Sequence, residues 1–264
     1  MKVLRAVFRI KKNEFAAYRS NIYLNFVFGC VPLIFSILFW KAVYGANKEI
    51  IGGYSYKQMI TYYVNVFLMS LIINSRDNTV KMAEMIQNGN MHNFLLKPIG
   101  FISLNFKLYI AEKIIYLLNI FIPFILFCLL IRKYIFINVY VMPVVMLSAC
   151  MAFILKYLIG CIFGLMTVWI EEISGLLDLW NNIENFFSGG LLPLSILPAL
   201  IYKLISILPF KFLLFVPIDI YMGKHQNNEL IFILMVQGGW IVIFTMILLF
   251  IRKKAYRFYS GYGT

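Results

Sequence analysis

Residues 230–251 read LIFILMVQGGWIVIFTMILLFI, and the basic segment RKKAYR follows at 252–257. The apolar stretch contains no charged side chain, and at about 1.5 Å per helical residue it is long enough to cross a hydrocarbon core of about 30 Å. Basic residues collect on the cytoplasmic side of membrane proteins. The stretch therefore predicts a transmembrane helix whose carboxyl end faces the cytoplasm.

The composition of the whole chain agrees with a membrane protein. Of its 264 residues, 62% are hydrophobic and 13% are charged, which leaves too few polar residues to cover a water-soluble domain of this size. A net charge of +13 could indicate nucleic-acid binding, but Lys and Arg are collected at the chain ends and in short loops, as membrane topology requires. We expect a lipid bilayer around most of the chain and no nucleic-acid partner.

Further apolar stretches predict five more transmembrane helices. The six predicted spans cover about residues 21–45, 56–75, 110–131, 139–169, 174–192 and 230–251. Before the first of them, residues 1–20 place basic and apolar residues at helical spacing, which predicts an amphipathic helix at the membrane surface. We therefore expect an all-α membrane protein with a single transmembrane domain over residues 1–264.

The distribution of basic residues predicts the orientation of the chain. Lys and Arg are concentrated in residues 1–20, in 76–100 and after 251, so all three segments should be cytoplasmic. Two ends on the same side require an even number of crossings. The sequence thus predicts a multi-pass protein of the cell (plasma) membrane with cytoplasmic N- and C-termini.

The fifth span is the hardest to assign. Residues 174–192 carry Asp178 and Glu184, whereas residues 191–216 are more apolar but contain three prolines. We assign 174–192 as the span. Residues 193–216 are then interpreted as short external re-entrant helices, since irregular backbone is tolerated at membrane depth where other protein shields it.

Motifs that would make the chain an enzyme do not occur in the sequence. There is no G-x-x-x-x-G-K-[ST] phosphate-binding loop, so ATP hydrolysis, if it drives the protein, belongs to another subunit. No H-E-x-x-H or G-x-S-x-G occurs, and His92 and His225 lie in separate predicted loops. Because a metalloenzyme or serine hydrolase needs such groups together, we expect neither a catalytic residue nor a bound metal or cofactor.

Residues 76–100 form the most polar internal segment, which is too long for a hairpin turn and too polar to enter lipid. Ile86 belongs to an apolar pattern that predicts a helix over about 79–88, ended by Gly89. The segment as a whole predicts a cytoplasmic helix-turn-helix.

The second part of this segment carries an apolar knob of three residues, Phe94, Leu95 and Leu96, and Pro98 ends it. One interpretation is that the knob docks into a groove of a partner protein. The other is that it anchors an interfacial helix in lipid.

Three ionisable residues, Lys156, Asp178 and Glu184, are expected at membrane depth. Charges at membrane depth need partners or a wet cavity. They could therefore line a translocation path, or Lys156 could pair with a carboxylate on a neighbouring helix and fix the packing. Gly160 and Gly164 stand four residues apart on one helix and predict close packing against another helix.

Two stretches resemble type-two ABC exporter permeases. The run IQNGNMHNFLLKP at 86–98 is similar to the stretch between their first two spans and the third. The run SGGLLP at 188–193, followed by ILP at 196–198 and at 207–209, is similar to the small-residue and proline-rich external region before their last span. With the amphipathic N-terminal helix and the six-span layout, the likeness covers nearly the whole chain.

The resemblance implies a permease subunit of an ATP-driven exporter of a drug, peptide or lipid-like molecule. Its partners would be ABC ATPase subunits, which bind ATP and Mg, and a second permease, identical or related, that shares the pore. The resemblance also implies a cytoplasmic coupling helix, whose contact with the ATPase would involve the residues Ile86, Gly89, Phe94, Leu95, Leu96 and Pro98. Two other functions stay open from the residues alone: an ATP-independent carrier or channel using Lys156, Asp178 and Glu184, and a membrane assembly or immunity factor without transport.

Overall fold

The computed structural model describes residues 2–45, 50–88, 100–134, 138–170 and 172–261, and these are predominantly helical. The α-helices are α1 (Lys2–Tyr44), α2 (Tyr56–Ile73), α3 (Arg76–Gln87), α4 (Phe101–Leu130), α5 (Met142–Met166), α6 (Ser174–Phe187), α7 (Ala199–Ser206), α8 (Phe215–Tyr221) and α9 (Asn227–Gly261). Short 3-10 helices cover Arg132–Tyr134, Leu194–Ile196 and Pro209–Phe212.

Four helices in the described part of the chain are long and apolar enough to cross a membrane. They are Arg19–Tyr44 within α1, Phe101–Leu130, Met142–Met166, and Asn228–Phe258 within α9. These stretches correspond to the first, third, fourth and sixth predicted spans. The protein is therefore a multi-pass membrane protein by the length and composition of its helices.

The second and fifth predicted spans correspond to shorter helices. Helix α2 has 18 residues, and α6 has 14 residues, which gives α6 a length of about 21 Å. Helix α6 ends at Phe187 rather than at about residue 192, because Gly189 adopts a left-handed φ of 86° that a helix cannot contain.

Helix α1 runs from Lys2 to Tyr44 without a break. The predicted surface helix and the first predicted span are thus one continuous helix. Residues 2–28 contain neither Gly nor Pro, the residues that most often end a helix, so the local sequence has no stop signal at the predicted boundary near residue 20.

A short hairpin between α1 and α2 adds strands to the otherwise helical chain. Strand β1 (Ile50–Ile51) pairs antiparallel with β2 (Tyr54–Ser55), and the turn between them contains Gly52 and Gly53 with φ values of 57° and 80°. Two consecutive residues with positive φ are the requirement of a type I′ turn. Ser55 then begins α2 through a capping box with Gln58.

Helix α5 lies at the centre of the structure. Half of its apolar window (50%) is buried inside the protein, against 17% or less for the other three candidate spans. Helices α1, α4 and α9 instead expose large apolar side chains, for example Phe28, Leu118 and Phe250. Such surfaces suit lipid, which offers no hydrogen bonds to polar groups.

Among the short elements between α6 and α9, α8 and the 3-10 helix Pro209–Phe212 are largely buried, whereas α7 exposes Leu200 and Leu204. Every residue of α8 is buried. The buried Gln237 of α9 donates a hydrogen bond from Nε2 to the Phe212 carbonyl at 3.2 Å and to the Ser148 carbonyl of α5 at 3.0 Å. Because a buried amide is costly unless it is hydrogen-bonded, these contacts fix the short elements against α5 and α9. The predicted external helices at 193–216 thus continue to Tyr221.

Candidate functional site

Helix α3 rests on the two glycines of α5. A Cβ atom at Gly160 would lie 2.6 Å from Thr79 Oγ1, and one at Gly164 would lie 2.9 Å from Met82 Sδ. Both distances are too short for real side-chain contacts, so only glycine allows α3 to approach this closely. The two glycines therefore serve packing within the chain, and the helix that they receive is the one predicted to couple to an ATPase. We call this contact the glycine seat.

The residues predicted for coupling are only partly within the described structure. Ile86 is buried in α3 and joins an apolar cluster with Met82 of the same helix, Phe101 of α4, and Leu158 of α5. The remaining predicted coupling residues lie outside the described residues: Gly89, Phe94, Leu95, Leu96 and Pro98.

An ion pair joins α5 and α6 inside the protein. Lys156 Nζ lies 2.6 Å and 2.7 Å from the two carboxylate oxygens of Glu184, and both residues are buried. Trp180 Nε1 donates a further hydrogen bond of 3.0 Å to Glu184 Oε2. The two donors compensate the buried carboxylate for part of its loss of water, and removal of either charge would leave the other buried without a partner.

Asp178, the third ionisable residue expected at membrane depth, is not part of the Lys156–Glu184 pair. Asp178 belongs to the exposed side of α6. Six residues separate it from Glu184, a rotation of about 600° or 240° around the helix axis. The structure thus brings Lys156 and Glu184 together and leaves Asp178 on another face.

A second ionic cluster connects three helices at the end of the bundle where α3 begins to pack on α4. Glu112 Oε2 of α4 lies 2.9 Å from Lys11 Nζ of α1 and 3.3 Å from Lys81 Nζ of α3, and Lys11 also pairs with Glu14 at 2.8 Å. Burial alone would lower the pKa of Lys11, but its hydrogen bonds to Glu14 and Glu112 outweigh burial and raise it above the usual value. We call these four residues the Glu112 node.

A cavity of about 640 Å³ begins beside the Glu112 node and extends between α1, α2 and α4. Its charged and polar lining lies mainly at the node end, where Asp77 and Lys113 face it, and apolar residues such as Leu33 and Phe67 line it further along. The volume falls in the range of pockets that hold drug-sized ligands. Lys113 is not among the site residues predicted from the sequence.

A third polar cluster surrounds Asp219 at the opposite end of the chain's helices. Tyr54 donates from its hydroxyl to Asp219 Oδ1 at 3.1 Å, and His225 Nε2 lies 3.0 Å from Asp219 Oδ2. Lys224 Nζ lies 4.0 Å from Asp219 Oδ1 and 3.0 Å from the centre of the Tyr54 ring. The hydrogen bond to Asp219 raises the pKa of His225, although burial opposes it. The cluster links the β1–β2 hairpin to the α8–α9 junction.

The chain matches a family model described as ABC-2 family transporter protein over residues 30–263. A comparison with curated proteins finds no match. The matched range contains the glycine seat, the Lys156–Glu184 pair, the Asp219 cluster and Asp77 and Lys113 of the cavity.

Proposed function

The chain belongs to the ABC-2 family of transporter proteins, which makes it a membrane permease subunit and implies association with ABC ATPases; from this premise we propose that it works in an ATP-driven exporter. In this proposal the chain binds neither ATP nor Mg, which belong to separate ATPase subunits. The lack of a phosphate-binding loop in its sequence supports this division of roles.

The glycine seat is the observation that carries the proposed ATP-driven mechanism. Helix α3 of 12 residues packs directly on α5, the most buried candidate span. Ser75, just before α3, donates from Oγ to the Lys156 carbonyl at 3.5 Å. A displacement of α3 by an ATPase would therefore act on α5 next to its ion pair with α6. Such a tight contact transmits movement because packed interfaces do not deform continuously.

We propose that the chain crosses the plasma membrane six times with both termini in the cytoplasm. The four long apolar helices support four crossings, and α2 and α6 supply the other two. Helix α6 is too short to cross alone, so the crossing would be completed by the turn after Phe187 and by the short helices up to Tyr221, which return toward the outer surface.

The proposed translocation path runs through this chain and a second permease, identical or related. The cavity between α1, α2 and α4 supports a path with both polar and apolar lining, as an amphipathic drug, peptide or lipid-like molecule would need. The alternative of an ATP-independent carrier is less well supported, because Lys156 and Glu184 neutralise each other and Asp178 lies on another face.

The experiment is purification of the tagged chain from its native membrane, followed by transport assays in inside-out vesicles. We expect an ABC ATPase to copurify and ATP to drive accumulation of substrate inside the vesicles. Accumulation that follows an ion gradient and is insensitive to removal of ATP would favour the carrier. Neither an ATPase nor any transport would favour an assembly or immunity factor.

A further inference from the structure

We propose that the cavity between α1, α2 and α4 binds a single-chain amphipathic molecule with a zwitterionic headgroup. The acidic group of the headgroup would be held by Lys113 and its cationic group by Asp77. The inference rests on the proposed function in so far as it treats this cavity as part of the transport path, and it names the substrate class of that path.

The first observation is a lysine that faces the cavity without a carboxylate partner. Lys113 Nζ donates one hydrogen bond, to the Leu71 carbonyl at 3.1 Å, and lies 5.7 Å from the ring centre of Tyr116. Within the described ranges, no carboxylate lies inside the ion-pair distance of 4.0 Å from it. An ammonium group has three donors, so two N–H groups of Lys113 remain for an acidic ligand.

The neighbouring carboxylate does not compete for this lysine. Glu112 is adjacent in sequence, but its side chain pairs with Lys11 at 2.9 Å and with Lys81 at 3.3 Å. The Glu112 node is therefore internally compensated. The positive charge of Lys113 is therefore available to a ligand in the cavity.

The second observation is a carboxylate of opposite sign on the same cavity. Asp77 at the start of α3 lines the cavity, and among the residues that the structure describes it has no ion-pair partner within 4.0 Å. It interacts electrostatically with Lys113 without forming a pair. A purely anionic headgroup would meet the repulsion of Asp77, and a purely cationic one that of Lys113. A headgroup with both charges is attracted at both positions.

The third observation is the apolar course of the cavity beyond these charges. Along α1 the cavity extends from Asn25 to Ser36, over about 16 Å. Its apolar lining comes from Leu33 of α1 and from Val66 and Phe67 of α2. At the far end the Ser36 hydroxyl already donates to the Pro32 carbonyl at 2.9 Å. Gly29 allows α1 to approach α2 closely at this wall, because a Cβ atom there would lie 3.2 Å from the Phe67 ring. An apolar tail fits this wall, and the volume suits one chain rather than two.

The test uses the full-length protein in nanodiscs of phosphatidylglycerol and a set of tritiated probes that share one dodecyl chain. The probes are dodecylphosphocholine, dodecyl phosphate and dodecyltrimethylammonium, each below its micelle concentration, together with phosphocholine, which has no chain. We expect dodecylphosphocholine to bind about tenfold more tightly than any other probe, since each charged contact contributes on the order of a factor of ten.

Two variants test the assigned contacts. Lys113→Met is expected to weaken dodecylphosphocholine about tenfold, and Asp77→Asn is expected to bring dodecyl phosphate to within about twofold of it. Lys107→Met is the matched control, because it removes the same charge from the same helix at a position that does not line the cavity. It should leave all affinities unchanged.

Equal binding of the three dodecyl probes would overturn the inference. An unchanged preference for dodecylphosphocholine over dodecyl phosphate in Asp77→Asn would also overturn it. Because Asp77 is exposed, this variant should fold even if Lys113→Met does not. If phosphocholine binds as tightly as dodecylphosphocholine, the apolar tail has no role in binding, and the inference is also overturned. ATPase copurification is measured on the same samples. Absence of probe binding with the ATPase retained refutes the ligand site alone, and selective binding without any ATPase refutes the proposed function alone.

Discussion

Lys156 Nζ lies 2.6 Å from Glu184 Oε1 at the contact of α5 with α6. Both residues are buried, and Trp180 adds a hydrogen bond to the same carboxylate. The negative charge of Glu184 is therefore compensated by Lys156 of α5 and by Trp180 of its own helix. In the proposed mechanism, a movement of α3 would pass through α5 to α6 at this contact, so variants of the pair can separate a structural role from a transport role.

Removing one charge of the pair should destabilise the protein more than removing both. Lys156→Met leaves a buried carboxylate without its cation, which costs about 3–5 kcal/mol. The double variant with Glu184→Gln removes that charge and should recover much of the loss. Thermal midpoints and membrane yields of the single and double variants measure the effect.

Asp178→Asn is the matched control for this series, because Asp178 is on the same helix but on its exposed side. It should change the thermal midpoint little. If Lys156→Met is as stable as the parent protein, the pair does not stabilise the contact of α5 and α6.

Cysteine labelling tests the proposed orientation of the membrane-spanning helices. In a variant that lacks the four native cysteines, Asn88→Cys at the end of α3 should be protected from an impermeant maleimide added to intact cells. Gln226→Cys, between α8 and α9, should react, because an odd number of crossings separates the two positions in the proposed topology. Reaction at residue 88 from outside would contradict the cytoplasmic placement of α3.

The long helices could be predicted from the sequence because apolar length is a local property. Their ends could not always be predicted. The end of α6 depends on the left-handed Gly189, where an added Cβ would lie 2.7 Å from the Tyr62 hydroxyl. The Gly189-Gly190 pair is a signal for a helix end that the predicted span to residue 192 did not use. The Gly52-Gly53 pair is a hairpin signal, but strands of two residues show too little alternation to support it.

Parts of the candidate site could be predicted as residue types but not as contacts. Sequence reasoning selected Lys156 and Glu184 because charges at membrane depth need compensation, while the choice between Glu184 and Asp178 as partner depends on how α6 is rotated. Lys113 was not predicted, because its position near the start of the third predicted span gives no sign that it faces a cavity. A stripe of small and polar residues on α1, which includes Asn25 and Ser36, was the signal that could have indicated the cavity.

Substitutions at the glycine seat should uncouple ATP hydrolysis from transport. Gly160→Ala places a methyl group within 2.6 Å of Thr79 Oγ1, so α3 must shift away from α5, with an overpacking penalty of about 1–3 kcal/mol. We expect reduced transport per ATP hydrolysed in vesicles that contain the copurified ATPase.

The control for the glycine seat is Gly239→Ala in α9, where no atom lies within 4 Å of the added Cβ. Alanine favours a helix over glycine by about 1 kcal/mol, so this variant should be at least as stable as the parent. Normal coupling in Gly160→Ala together with an unchanged thermal midpoint would show that α3 does not act through this contact.

The Asp219 cluster should make the attachment of the β1–β2 hairpin depend on pH. Hydrogen bonding to Asp219 raises the pKa of His225 in the folded protein above its unfolded value of about 6.5. The sign follows from linkage: the stabilisation is complete below the unfolded pKa and is lost as the pH rises through the folded pKa. The thermal midpoint of the parent protein should therefore fall as the pH rises above about 6.5, through loss of this contact.

Three variants separate this contribution from other titrations over the same range. Asp219→Asn removes the carboxylate charge that favours protonated His225 and should flatten the pH dependence. Lys224 also loses its ion-pair partner, so the variant should be less stable overall. Glu229→Gln is the milder control, because Glu229 lies 3.5 Å from His225 Nδ1 and is itself exposed; it should keep most of the pH dependence. Because His225→Gln keeps a hydrogen-bond donor but cannot titrate, a pH dependence that persists in it would assign the effect to another group and contradict the role of His225.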